Sequence, residues 1–269
     1  MFCPVRRAFS VLQIMSAFEE ERAVDFYFKG EMHDFWEVVY VASGKIGVTE
    51  GEQVYELEKG DIIFHRPMEF HKVWSCGPKR PHVFTMSFKT EGVVPSTIGD
   101  GILHLTPVDE STFLNVFASA HTLLHTPAQR SPLAEQKFTA DLESFLINMA
   151  CERIMDTTPL KSPDALRYGQ VIKIMQKHIT EDLSVSDIAH LAGLSPSTMK
   201  NAFAKFSDCG VRKHFIRLKI AAAIRLLEQD DAIGRISEML GFSSQNYFSM
   251  VFKAEMGLAP MEYRRKFLR

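Results

Sequence analysis

The C-terminal part of the sequence contains the same helix–turn–helix pattern twice, and this repetition constrains the fold more than any other feature. In residues 184–206 two short amphipathic segments are separated by Gly193, and in residues 232–253 two similar segments are separated by Gly241, 48 positions later. Glycine adopts the positive φ angle of a tight interhelical turn at little cost, whereas other residues are strained there. We therefore expect two similar pairs of short helices.

The polar and apolar residues of each copy fit this interpretation. Ser184 and Ser195 are natural N-caps, and Pro196 suits the first turn of the following helix. Apolar residues at helical spacing predict one buried face in each copy. The predicted buried residues are Ile188, Ala189, Ala192, Met199, Ala202, Phe203, Phe206, Ile236, Phe248 and Phe252. Between the copies, residues 212–229 predict a linking helix roughly 25 Å long, since each helical residue adds about 1.5 Å.

The charge is distributed unevenly along the chain. The 269 residues have a net charge of −2, but residues 1–163 contain 15 basic and 22 acidic residues, whereas residues 164–269 contain 16 and 11. A solvated helical face can also be basic, so charge alone leaves the function open. Two helix–turn–helix patterns in the basic part are more specific. They predict DNA binding, with the second helix of each pair in a major groove.

The second copy resembles the C-terminal signature of the AraC/XylS family of transcriptional regulators. Residues 233–264 match the pattern I-x-x-I-x-x-x-x-G-F-x-x-x-x-Y-F-x-x-x-F-K-x-x-x-G-x-x-P-x-x-Y-R. The first copy matches more loosely, because Asp208 stands where the family usually has glycine and His214 where it usually has tyrosine. In the second copy Ser237 replaces the usual alanine. The resemblance implies an all-α DNA-binding domain over residues 165–269.

The resemblance also implies a bipartite DNA site, with two recognition helices entering successive major grooves about one helical turn apart. The amides of Gln245 and Asn246 suit bidentate contacts to adenine, and Arg235 and Lys253 suit phosphate contacts. The candidate DNA-binding residues are Ser197, Thr198, Lys200, Asn201, Lys205, Arg235, Ser244, Gln245, Asn246, Ser249 and Lys253. At the C-terminus, two roles stay open, phosphate contact or solvation of the terminus, for Arg264, Arg265, Lys266 and Arg269.

The N-terminal half has a β-rich texture followed by a helical one. Short strands separated by turns are predicted over residues 35–44, 45–61, 62–67 and 82–88, which is typical of a small barrel or sandwich. Apolar residues at three-to-four spacing then predict two helices. These helices cover residues 109–125 and 133–155, and the proline-containing segment 157–164 is the predicted linker.

The β-rich part resembles the cupin barrels that precede the DNA-binding half in many AraC-type regulators. His33-x3-Glu37-x6-Gly44 has the spacing of the first cupin motif, and the run from Gly60 to His71 resembles the second. The expected fold class is therefore α+β. It comprises a cupin-like barrel over residues 1–106, a helical pair over 107–156, the linker, and the all-α domain of two helix–turn–helix units.

Side chains of this predicted barrel are candidates for an effector site. Strand alternation places His33, Phe35 and Glu37 on one face, and Phe64 and Arg66 share a face of a later strand. The candidate effector-binding residues are His33, Phe35, Glu37, Phe64, Arg66 and His71. The same polar groups could instead form structural hydrogen bonds. A third role also stays open, a metal site of His33, Glu37 and His71, although Glu31 stands where metal-binding cupins usually have histidine.

The helical pair is a candidate dimer interface, by the same resemblance. Its apolar stripes are formed by Leu114, Phe117, Leu123 and Leu124 and by Phe138, Leu142, Phe145 and Leu146. Such stripes are also common in the core of a single chain, so both locations stay open.

These observations predict a transcription regulator rather than an enzyme. Its expected partners are double-stranded DNA, RNA polymerase, a small effector (sugars being the first guess) and a second copy of the chain, with no resident cofactor. With no apolar run of 18 residues and four widely spaced cysteines, the chain is expected in the cytoplasm, away from the membrane. Two alternatives remain: a metal-dependent cupin enzyme or metal sensor with an attached DNA-binding domain, and a constitutive DNA-binding protein.

Overall fold

The computed structural model describes residues 6–151 and 159–267, which fall into two units, residues 1–160 and 161–269. Part of the predicted linker (157 and 158), the predicted end of the second helix (152–155) and Arg269 lie outside the described residues. No helix in the described ranges is long and apolar enough to cross a membrane.

The first unit is built from two antiparallel sheets. One has the strand order β1-β7-β2-β5-β8 and the other β4-β3-β6. The strands of the described residues are β1 (Phe9–Glu21), β2 (Trp36–Ser43), β3 (Lys45–Glu50), β4 (Gln53–Glu58), β5 (Asp61–His65), β6 (His71–Ser75), β7 (His82–Gly92) and β8 (Ile102–His104). Residues 26–31 lengthen the smaller sheet, because isolated bridges join Tyr27 to Trp74 and Glu31 to His71.

Most of the predicted strands are present, and three others were missed. The structure contains the strands expected over 35–44, on both sides of the turn after Glu50, over 62–67 and over 82–88. β1 was missed because its register against β7 shifts twice, which breaks the alternation of apolar and polar residues. β6 and β8 are only five and three residues long, too short for a clear periodicity.

The larger sheet is buried on both faces. One face, with Val39 and Ile63, packs against the smaller sheet. The other face, with Val38 and Phe64, packs against two helices, α1 (Pro107–His125) and α2 (Pro132–Cys151). Thr106 begins α1 with a capping box, in which its hydroxyl accepts the Asp109 backbone N–H.

The apolar stripes of α1 and α2 belong to this core, which is one of the two locations left open for them. Six of the eight residues are at most 6% exposed, and Leu114 and Leu124 are partly buried against the same cluster. The physical reason is that a sheet with an apolar outer face must itself be covered, and these two stripes cover it. A dimer would therefore have to use other residues.

The regular elements described in the second unit are all helices. Its described helices are α3 (Pro163–Lys177), α4 (Val185–Leu191), α5 (Pro196–Phe206), α6 (Val211–Glu228), α7 (Ile233–Met239), α8 (Gln245–Met256) and α9 (Pro260–Phe267). α4 and α5 form the first predicted helix–turn–helix, and α7 and α8 form the second. The predicted linking helix is α6, whose 18 residues span about 27 Å. Ser184 and Ser195 cap α4 and α5 as expected.

Lys219, in the middle of α6, contacts the second helix–turn–helix and the loop that leads into the first. Lys219 is 3% exposed, and its ammonium donates to the carbonyl of Glu181, just before α4, at 2.7 Å. It also donates to the carbonyl of Leu240, at the end of α7, at 2.6 Å. A buried cation is costly unless its hydrogen bonds are made, and here they are made only when both segments are in place.

Arg217, two residues earlier on α6, links the far ends of the two second helices. Its guanidinium donates to both carboxylate oxygens of Asp208, just after α5, at 2.8 and 2.9 Å. It also donates to Glu255, in the last turn of α8, at 3.0 Å. Asp208, where the family usually has glycine, therefore has a structural role. The two links fix how α5 and α8 are held by α6.

The two turn glycines provide a matched test of this packing. Gly193 and Gly241 have φ angles of +64° and +60°, but a Cβ at Gly193 would meet nothing within 4 Å, whereas one at Gly241 would lie 2.2 Å from the Thr180 carbonyl oxygen. We expect Gly193→Ala to cost about 1 kcal/mol of unfolding free energy from backbone strain alone. Gly241→Ala should cost at least about 2 kcal/mol more, because the backbone of residues 180 and 181 must move. Equal losses in thermal unfolding would contradict this account.

A second test addresses Lys219. Lys219→Met should lower the free energy of unfolding by about 2–4 kcal/mol, because it leaves the buried carbonyls of Glu181 and Leu240 without their donor. The control Lys213→Met, at an exposed lysine on the same helix, should change it by less than about 0.5 kcal/mol. Chemical denaturation of the full chain measures both values, and a similar stability for the two variants would show that Lys219 does not hold the units together.

Candidate functional site

The N-terminal turn of α5, the first recognition helix, presents short polar side chains. Ser197, Lys200 and Asn201 are exposed, on the side opposite buried Met199 and Phe203. Thr198 is half-buried, and its hydroxyl lies 2.8 Å from the capping oxygen of Ser195. Ser197 also contacts that oxygen, at 3.0 Å. Side chains of this length can reach base edges when the start of the helix lies in a groove.

The start of α8, the second recognition helix, is exposed in the same way. Ser244 is its N-cap and accepts the Tyr247 backbone N–H at 3.1 Å. Gln245 and Asn246 are exposed and Ser249 is half-buried. Lys253 is exposed in the last turn, so each recognition helix carries hydroxyl and amide groups at its start and a lysine towards its end.

Of the remaining basic candidates, one is exposed and two are held by acidic side chains or a backbone carbonyl. Arg235 is 70% exposed and lies 3.6 Å from Asp231. Lys205, at the end of α5, forms an ion pair with Asp164 at the start of α3. Arg264 is 6% exposed, with its guanidinium bonded to the Asp231 carbonyl and paired with Asp230, so both roles considered for it were wrong. A buried arginine that caps a turn is not available to phosphate.

In the first unit, strand pairing brings three polar side chains together on the face that meets the smaller sheet. Glu37 on β2 lies directly opposite His65 on β5 and Ser87 on β7. The Ser87 hydroxyl donates to the Glu37 carboxylate at 3.2 Å. Glu37 is 8% exposed and His65 is fully buried, so charged and polar groups are inserted into an otherwise apolar interior.

Three further side chains complete this barrel cluster of Glu31, His33, Glu37, His65, His71 and Ser87. His71 comes from β6 of the smaller sheet, and its ring stacks on His65 with centroids 4.2 Å apart. Its Nε2 lies 3.3 Å from Glu37 and 3.8 Å from Glu31. His33 Nε2 lies 3.9 Å from Glu31 and 4.0 Å from Glu37. The structure thus brings together His33, Glu37 and His71, and adds Glu31.

The charges of the cluster are compensated internally. Burial by itself would lower the pKa of His71, but the facing carboxylates of Glu31 and Glu37 raise it to about 10. Burial lowers the pKa of His65 well below its usual value, so this ring stays neutral. Burial opposes ionisation of Glu37, yet His71 and His33 lower its pKa overall. The two carboxylates thus favour protonation of His71, whereas burial disfavours protonation of His65.

Two predicted effector-site residues lie outside the cluster. Phe64 points to the helical pair and packs against Phe145, because neighbouring His65 takes the inward position. The pairing of Glu37 with His65 thus shows that the predicted face of β5 was wrong by one residue. Arg66 follows the end of β5 and donates to the Ser96 carbonyl and the Asp100 carboxylate. Phe35 lies beside the cluster, stacked on His33 with centroids 3.7 Å apart.

Sequence reasoning missed His65 and Ser87 as members of the cluster. A signal for Ser87 existed, since Val83, Thr85 and Ser87 alternate with larger apolar residues along β7. The signal for His65 depends on register. Only when β5 is paired with β2 does His65 come to lie opposite Glu37.

Comparison with known proteins covers both units. Residues 13–144 match the model of the AraC-like ligand binding domain, and residues 188–266 match a helix-turn-helix domain model. The HTH-type transcriptional activator RhaR of Yersinia pestis is 22% identical over 252 residues, which cover 88% of this chain and 84% of RhaR. The MmsAB operon regulatory protein of Pseudomonas aeruginosa is 24% identical over 257 residues, covering 91% and 80%.

Among solved structures, ToxT from Vibrio cholerae O395 is 16% identical, covers 97% of this chain and 98% of its own, and has a TM-score of 0.41. The two matched models and the curated relatives are of regulators, so the chain is a regulator and not an enzyme. It combines an N-terminal ligand-binding domain with a C-terminal DNA-binding domain of two helix–turn–helix units. The chain belongs to the AraC/XylS family of transcription regulators.

Proposed function

We propose that the protein is an effector-responsive transcription activator that reads a bipartite DNA site with α5 and α8 of one chain. The observation that carries this proposal is the exposure of polar side chains at the start of both helices. Contacts of Lys219 and Arg217 fix the positions of these two helices relative to α6. The relative RhaR is named a transcriptional activator, which favours activation over repression. Activation also requires a contact with RNA polymerase.

The DNA-contacting side chains divide into two functional groups in this proposal. Base edges are read by short polar groups and by one lysine, namely Ser197, Thr198, Lys200, Asn201, Gln245, Asn246 and Ser249. Lys253 and Arg235 contact phosphates, because both are exposed cations on the second helix–turn–helix. Lys205 contributes to phosphate binding only if it leaves its ion pair with Asp164. Ser244 acts through its role as the N-cap of α8.

The effector site is proposed at the barrel cluster. Polar groups that converge inside an apolar barrel are typical of a small-ligand site, and His33, Glu37 and His71 provide them. A small polar effector, with sugars as the first class to screen, would bind there. Its binding would favour one of two pre-existing states of the protein, and so change how strongly the protein binds or activates at its promoters.

The protein is further proposed to act as a cytoplasmic homodimer. Because the apolar stripes of α1 and α2 are buried in the core, the dimer contact would use the outer surface of this pair. That surface forms a groove lined by small and polar residues, among them Thr112, Ser119, Lys137 and Asp141. A double reader that dimerises would bind two bipartite half-sites.

Asn246 tests the DNA-reading assignment. Asn246→Ala should weaken operator binding by about 1–3 kcal/mol and relax the preference at one base pair, because an exposed amide reads a single base. The matched control Lys253→Ala should weaken binding to all sequences alike and reduce its salt dependence. Fluorescence anisotropy on a set of single-base operator variants measures both. If Asn246→Ala weakens all sequences equally, Asn246 is not a base reader.

Glu37 tests the effector site. Glu37→Gln should lose the thermal stabilisation that a metabolite panel gives to the wild-type protein, because the effector loses a buried charged partner. Glu56→Gln, on the exposed side of β4, is the control and should respond like wild type. Stabilisation of Glu37→Gln equal to that of wild type would place the effector elsewhere. If Glu37→Gln fails to bind DNA even without effector, Glu37 is needed for the fold.

A further inference from the structure

We propose that Glu31, His33, Glu37 and His71 bind one divalent first-row transition-metal ion. One donor atom from each of these side chains lies within 4.8 Å of the donor atoms of the other three. The four side chains come from three places in the fold, namely β2, β6 and the segment that precedes β2. Side chains from separate segments that converge on one point form a three-dimensional site, which a run of exposed carboxylates does not.

The distances suit an ion with only small adjustments. Four of the donor pairs, each a histidine Nε2 and a carboxylate oxygen, are 3.3 to 4.0 Å apart. Ligands that lie about 2.0–2.2 Å from one ion are themselves roughly 3–4 Å apart. The four side chains therefore surround a space that an ion could fill once the widest donor pairs, up to 4.8 Å apart, move closer together.

The hydrogen bonds of the two histidine rings also support a metal site. His33 Nδ1 donates to the Phe35 carbonyl at 2.9 Å, and His71 Nδ1 donates to the Glu69 carbonyl at 3.2 Å. This is the arrangement found in metal-binding histidines, because it fixes the ring and leaves Nε2 as the atom that faces the ion. Both Nε2 atoms face the cluster, are buried, and have no hydrogen-bond partner.

The lack of partners argues against a purely structural hydrogen-bond network. His71 is fully buried, and its Nε2 lies 3.3 Å from Glu37, yet the geometry of a hydrogen bond is not met. Buried polar atoms in native proteins nearly always have a partner. The two Nε2 atoms of His33 and His71, which face the same space without a hydrogen bond, therefore indicate a missing ligand. A metal ion would satisfy both atoms at once.

The donor set defines the chemical class of the ion. Metal binding would release the proton that the carboxylates favour on His71. Two neutral imidazoles and two carboxylates then form an N2O2 set, which suits Zn²⁺, Fe²⁺, Mn²⁺ or Co²⁺, and the two negative charges balance a dication. The surroundings also support the ligands. Ser87 donates to Glu37, and the ring of His65 stacks on His71 at an angle of 8°, so both ligands are held in place.

The ion would connect an exposed segment to the barrel. The side chain of Glu31 is 47% exposed, and its backbone pairs with His71 through two hydrogen bonds of 3.0 and 3.1 Å. Coordination by Glu31 would hold residues 26–31 against β6. The inference deepens the proposed effector site, since the ion would occupy it, but it does not depend on DNA binding.

Metal titration of the full-length protein tests the inference. After removal of metals with a chelator, the protein is titrated with Co²⁺ and with Zn²⁺, and binding is followed by visible Co²⁺ absorption and by calorimetry. We expect one ion per chain, and a loss of affinity of about 100-fold or more in His33→Gln and in His71→Gln. The control His82→Gln removes a histidine that is paired with Glu19 outside the cluster and should bind metal like wild type.

Because a substitution at fully buried His71 could prevent folding, Glu31→Gln provides a second test. Its side chain is half-exposed, and we expect it to weaken metal binding by at least about 10-fold while thermal unfolding stays cooperative. Absence of stoichiometric binding to wild type, or equal affinity in wild type, His33→Gln and Glu31→Gln, would overturn the inference. Operator binding is measured on the same wild-type sample. If the operator binds without any metal site, only this inference fails, and if metal binds but no operator does, only the proposed function fails.

Discussion

The arrangement of the second unit depends on a buried cation at the centre of α6. Lys219 donates to carbonyl groups in the loop before α4 and at the end of α7, so its desolvation is offset only when this loop and the second helix–turn–helix both pack on α6. Arg217 adds a second link, between the ends of α5 and α8. Neither pair of short helices could bury a sufficient core alone. The two recognition helices are therefore held in a fixed arrangement on α6. If both read DNA, as proposed, this arrangement would tolerate little variation in the spacing of the two contacts.

In the first unit, by contrast, several buried polar groups have no hydrogen-bond partner. Most of the space between its two sheets is filled by aliphatic side chains, which need no partners. At one end, the Glu37 carboxylate, three imidazoles and a hydroxyl interrupt this core, and several of the imidazole nitrogens lack a hydrogen bond. Such groups reduce stability compared with a fully apolar core, and this cost supports the proposal that the cluster binds a ligand. A ligand that meets Glu37, His33 and His71 would recover the lost interactions, and in doing so would couple occupancy of the barrel to its stability.

Much of this architecture could be predicted from the sequence, because local signals and tertiary packing agree in the second unit. The glycines at 193 and 241, the N-caps and the buried faces all lie where their patterns predicted. The errors came from information that local patterns lack. The phase of β5 depends on its register against β2, so Phe64 was chosen instead of His65. The stripes of α1 and α2 are apolar in either location, and only the sheet face behind them shows that they are core. Arg264 was expected at the surface because arginine is usually exposed. It is buried because its guanidinium pairs with Asp230 and donates to the Asp231 carbonyl, just after α6.

The central claim is that one chain reads two short DNA sequences with two recognition helices. The most direct measurement is sequencing of the genomic DNA fragments that the purified protein retains at near-physiological salt. The account predicts a recurring motif of two short conserved blocks whose centres are about 10 base pairs apart, one for each recognition helix. Retention of fragments without any shared motif, or a motif with a single block, would contradict it, since the basic unit would then bind DNA only through its charge or through one helix.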